Sequence, residues 1–172
     1  MISKNYIENT LDELDKLYIN SSSKKKEIYY SKLAILELCG WIEASFDDML
    51  IKFSNRRLTI AANKKFVEKE IVKRNNGFEY DINVRTMFMK VIGIKYLELI
   101  ESKLEKTGKI TVLRSTLLAL KLSRNNAAHT FIKNSGNSYD TPSITKAKFL
   151  AIFPIIIKYD ELIRKIKTVN NF

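Results

Sequence analysis

At 172 residues the chain is long enough to bury a core without a disulfide or metal staple, and one domain over residues 1–172 is expected. Its 30 Lys and Arg against 19 Asp and Glu leave a net charge of +11, which attracts polyanions, nucleic acid first among them, although codon bias toward Lys, Asn and Ile gives the same balance. One cysteine and one histidine exclude an internal disulfide framework and a structural zinc tetrad, and no carboxylates cluster at ligand spacing, so no metal and no cofactor are expected.

The opening stretch "MISKNYIENTLDELDKL" lacks the apolar run of a secretory signal and predicts an amphipathic helix over about 5–18, with Ile7, Leu11, Leu14 and Tyr18 on one face. After the polar break "NSSSKKK", a long helix is predicted over about 27–53. Its stripe of Ile35, Leu38, Ile42, Phe46, Met49 and Phe53 repeats at three- and four-residue steps. Cys39 lies inside this apolar run and is a poor candidate nucleophile. A basic amphipathic piece from Leu58 to Arg74 closes in "RNNGFEYD", whose Asn-Gly pair is turn chemistry. Another helix is predicted over about 83–106, stopping before Gly108 in a C-cap position. The apolar run Ile110–Leu122 leads into "SRNNAAHT", and "KNSGNSYDTPS" then reads as a polar loop over about 133–143. A last helix runs from Ser143 to about Thr168, with Pro154 expected to kink or divide it. Its most apolar stretch, "FLAIFPIII", is too short to span a bilayer, and the chain is expected to be cytoplasmic and free of membrane. The whole reads as all-α, a bundle of about five or six helices, with no repeat, no glycine-rich phosphate loop and no extended coiled coil.

The octapeptide holds the chain's single histidine. Its run Arg124, Asn125, Asn126, Ala127, Ala128, His129 resembles the Arg-to-His motif of the HEPN superfamily (higher eukaryotes and prokaryotes nucleotide-binding domains), and "LELCGWIEASFDDML" is similar to the second long helix of such domains. The resemblance covers helices from about residue 27 to 168, and its specific part is the hexapeptide. It implies a HEPN-like fold and a metal-independent endoribonuclease of toxin–antitoxin or anti-phage defence systems, active as a homodimer whose two motifs face one cleft. It also implies RNA, tRNA or mRNA among the candidates, as substrate, and an antitoxin or defence-system protein as partner. The superfamily includes non-catalytic members as well, so a nucleic-acid- or partner-binding helical module is the alternative. In members paired with a minimal nucleotidyltransferase a tyrosine follows the histidine by two positions. Phe131 stands there and has no hydroxyl to modify.

The residue chemistry fits that implication. Removing the 2′-OH proton at neutral pH suits an imidazole, and His129 is the chain's one candidate. A guanidinium forks onto the charged phosphorane oxygens, the role of Arg124, and Asn125, four residues before His129, shares its helical face and either orients the ring or binds a phosphate oxygen. Glu43 in the second helix and Asn126 are candidate supporting groups, and Lys64, Lys65, Lys69, Lys73 and Arg74 form a candidate track for the RNA backbone. Each has a plainer counterpart: a loop-capping histidine, an arginine on helix carbonyls, a solvated acid, a solvated basic face. Trp41 reads as core more readily than as a base platform. Residues five apart on one α-helix point about 140° away from each other, so Arg124 and His129 need either a helix break at the double Asn, with Ser123 as cap, or a two-fold partner.

Overall fold

The computed structural model describes residues 3–129 and 138–166, all of them in helices, turns and extended connections without a strand. Seven α-helices are present among these residues: α1 (Asn5–Ile19), α2 (Lys24–Arg57), α3 (Ala61–Phe66), α4 (Arg85–Ile92), α5 (Ile94–Glu105), α6 (Lys109–His129) and α7 (Pro142–Arg164). The all-α expectation therefore holds, with one or two helices more than the sequence pattern suggests. Two π-helical segments, Val67–Val72 after α3 and Tyr80–Val84 before α4, lie beside these seven.

Helix α2 is the spine. It packs against α1, α6 and α7, and α1 also lies on α7. The apolar stripe read from the sequence is the stripe that is buried: Ile35, Leu38, Ile42, Phe46 and Met49 of α2 join Ile7, Leu11 and Leu14 of α1 in one continuous core. Trp41 is packed edge-on against Phe149 at 5.3 Å between ring centroids, and its indole N–H donates to the Ser3 carbonyl at 3.0 Å, so it is a partly buried residue packed against the core.

Three local features depart from the expected pattern for identifiable reasons. Gly93, at φ 84° and ψ 152°, ends α4 and starts α5, dividing the helix expected over 83–106. Gly108, at φ 66°, does terminate α5 as its C-cap position implied. Helix α7 runs unbroken through Pro154. Leu150, whose carbonyl loses its helical partner to that proline, is exposed along with Pro154, so water can take the free acceptor. Of the loop expected over 133–143, residues 133–137 lie outside the described residues and 138–141 are non-helical; Thr141 caps α7, which starts at Pro142, by accepting from the Ile144 amide.

A buried polar knot fixes how the second half of the bundle is rotated. The Tyr80 hydroxyl donates to Glu101 Oε1 at 3.1 Å and lies 3.4 Å from the Tyr159 hydroxyl. Arg85 Nε donates to the same carboxylate at 3.0 Å, while the Arg114 guanidinium sits 5.2 Å over the Tyr80 ring. Burial pushes both phenol groups well above their usual range. Residues from α4, α5, α6 and α7 meet here, and Arg114 is the one that ties down α6.

Candidate functional site

Helix α6 buries Ile110, Leu113, Leu117, Leu120 and Ala127. These positions advance by alternating steps of three and four, and the same rhythm reaches Arg124 between Leu120 and Ala127. An arginine thus occupies a core-facing position of an otherwise apolar stripe. His129 is off that stripe, at the exposed last residue of the helix, on the side that also exposes Leu118 and Leu122. Helix α6 is continuous from Lys109 to His129, so the expected break at Asn125 and Asn126, with Ser123 as cap, does not occur. The helix already gains its amide bonds through this stretch, and no non-glycine residue among those described takes a positive φ. Arg124 and His129 of one chain therefore diverge by about 140°.

The surroundings of Arg124 come from α2 and from the turn after the first π-helical segment. The Cys39 thiol points at the Leu120 carbonyl at 3.8 Å and Glu43 Oε1 lies 3.5 Å from Arg124 Nη2. Both contacts advance together along the two chains, so α2 and α6 run parallel here. Asn75 donates to the Gly77 carbonyl at 3.1 Å, and Gly77 turns the chain at φ 123°, where a Cβ would stand 3.0 Å from Asn83 Oδ1. That turn delivers Phe78 under the guanidinium, 5.8 Å from its ring centroid. An ion pair between Glu79 and Lys121 fastens the turn to α6.

The result is a polar cleft of about 240 Å³ lined by Glu43, Asp47, Asn75, Asn76, Gly77 and Arg124. Two carboxylates face one guanidinium. Asp47, one helical turn beyond Glu43, is half-buried, and burial reinforced by the Glu43 charge pushes its carboxyl up to about 6. The Arg124–Glu43 contact is at the long limit of a hydrogen bond, and Arg124 Nε is buried with no hydrogen-bond partner. Arg124 is thus held loosely and incompletely satisfied, which suits a group that takes an anion in place of Glu43. Burial drives the Cys39 thiol up to about 12, which rules it out as a thiolate nucleophile at neutral pH.

Of the residues marked in the sequence, Arg124 and Glu43 are brought together. Asn125 is half-exposed, Asn126 and His129 are exposed, and none of the three side chains has a partner among the described residues. Phe131 lies outside the described residues. The basic track is divided: Lys73 pairs with Glu68 and Arg74 with Glu70, each at 2.7 Å, whereas Lys64, Lys65 and Lys69 carry no ion pair among the described residues. Sequence reasoning missed Asp47 and the Asn75–Gly77 turn; the spacing of Asp47 one turn after Glu43 was the available signal for the first. No group of three or more His, Cys, Asp or Glu that could hold a metal ion occurs among the described residues, and no helix among them is long and apolar enough to cross a membrane. Compared with family models, with curated proteins and with solved structures, the chain matches none of them.

Proposed function

We propose that this protein is a metal-independent endoribonuclease of the HEPN type that works as a two-fold homodimer. The observation that carries the reading is the placement of Arg124: an arginine on the buried stripe of α6, opening into a polar cleft with its Nε unsatisfied. In this reading the RNA phosphate displaces Glu43 and is gripped by the guanidinium fork. An imidazole of His129 removes the 2′-OH proton, the 2′ oxygen bonds to the adjacent phosphorus, and the bond from phosphorus to the 5′ oxygen breaks. The products are a 2′,3′-cyclic phosphate and a 5′-hydroxyl, the leaving oxygen taking its proton from an imidazolium. Because the two groups diverge on one helix, the histidine that serves a given Arg124 comes from the second chain. Candidate substrates are tRNA or mRNA, and an antitoxin or defence-system protein is the expected partner.

The expected outcome for His129→Ala is loss of RNA cleavage with unchanged helical content and melting, since an exposed helix-end side chain contributes little stability. Wild-type cleavage should persist in EDTA. A His129→Ala protein that cleaves as fast as wild type rules the mechanism out. The Glu43–Arg124 contact also favours a second reading, a binding module in which the pair is purely structural. That reading expects RNA binding by the wild type and no cleavage at all.

A further inference from the structure

We infer that the recess between the C-terminal end of α2 and the α3 helix with its π-helical continuation is a phosphate-binding pocket. It shares no residue with the Arg124 cleft and does not rest on the ribonuclease reading. The recess holds about 280 Å³ and is lined by Ile51, Ser54, Asn55, Lys64, Lys65 and Glu68, among others. That is several times the space of one water molecule. Ser54 is only 2% exposed, and its hydroxyl has no hydrogen-bond partner. A buried donor left unsatisfied is uncommon, and here it belongs to the wall of a recess whose other polar side chains are two ammonium ions, a carboxamide and one carboxylate. The Lys64 and Lys65 ammonium groups and the Asn55 amide have no partner among the described residues. The one acid present is already neutralised, because Glu68 Oε1 accepts from Lys73 at 2.7 Å. The two ammonium groups donate only, the Ser54 hydroxyl and the Asn55 amide N–H can donate beside them, and positive charge is in excess, which is the complement of a phosphate's oxygens. Lysines that merely solvate a basic surface do not require a buried hydroxyl beside them.

The pocket is tested by thermal melting of the full chain in potassium phosphate against potassium chloride of equal ionic strength. Wild type should melt about 3 °C higher in phosphate. The Lys64→Gln, Lys65→Gln double variant should lose the difference and Ser54→Ala should lose most of it. Lys26→Gln, about 40 Å away along α2, should keep it. Equal melting of wild type in the two salts overturns the proposal, as does a phosphate effect that survives the double variant. A single-stranded 2′-O-methyl oligonucleotide, with and without a 5′-phosphate, distinguishes the sources of the group. Binding that needs the 5′-phosphate assigns a terminal monoester. Equal binding of both forms that is lost in the double variant assigns backbone phosphodiesters, and oligonucleotide binding indifferent to the double variant leaves free phosphate as the ligand.

Discussion

The bundle contains two clusters that pair arginine with carboxylate, and they differ in how closely the opposite charges are matched. Around Glu101 the carboxylate is closely matched: Arg85 donates to it at 3.0 Å and Tyr80 at 3.1 Å, and Arg114 forms an ion pair with Asp81 at 3.2 Å, although its buried Nε makes no hydrogen bond. Aromatic rings close it off, with Tyr159 packed edge-on against Phe46 and Phe88. Around Arg124 the acids outnumber the base, the ion pair is long, and Asp47 is held well above its ordinary range. The surplus carboxylate and the long ion pair set the Arg124 cleft apart from the Glu101 cluster, and in the function proposed above this is where the fold gives up stability for chemistry. The two are linked through α6: Arg114 fixes the rotation of that helix in the first cluster, and this sets where Arg124 points in the second.

The contrast can be broken from either side. The largest effect is expected at Glu101, where Glu101→Ala leaves the partly exposed Arg85 and the buried Tyr80 hydroxyl without their shared carboxylate. The expected loss is about 3 kcal/mol in urea melts. A change below about 1 kcal/mol would reduce the cluster to ordinary surface pairing. Asp47→Asn should act in the opposite direction. Because the Asp47 carboxyl titrates near 6 in the fold against an ordinary value of 3.8, the folded chain binds that proton more tightly than the unfolded chain. Its ionised form therefore costs stability as pH rises from about 4 to above 6. The variant should melt about 3 °C higher than wild type at pH 8, with the gain fading toward pH 4. The smallest effect is expected for Glu43→Gln: less than about 0.5 kcal/mol in stability, since both partners are about one-third exposed. Nitrogen- and carbon-resolved NMR titration should show Asp47 moving toward its ordinary value, and RNA binding should tighten as the competing charge disappears.

Much of the architecture is legible in local pattern. The stripes on α1 and α2, the Asn-Gly turn and the Gly108 cap follow from periodicity and glycine placement. The cleft is less legible because its walls come from α2, from the turn at 75–77 and from α6, and no spacing rule relates them. Arg124 and His129 read as a pair through their proximity in sequence, yet helical geometry separates them. The stripe through Leu117 and Leu120 already places Arg124 inward, and what the sequence left open was whether Asn125 and Asn126 would bend the helix. The Glu101 knot had no signal at all: Tyr80, Glu101 and Tyr159 meet only after α5 and α7 have packed.

The central claim is that Arg124 and His129 act on one phosphate from two different chains. Arg124→Ala protein mixed with His129→Ala protein tests it most directly, with RNA cleavage and heterodimer formation measured in the same samples. Each variant alone should be inactive, and the mixture should recover part of the wild-type rate because one of its composite sites is intact. A heterodimer that forms and stays inert, or a strictly monomeric wild type that still cleaves RNA, would contradict the account.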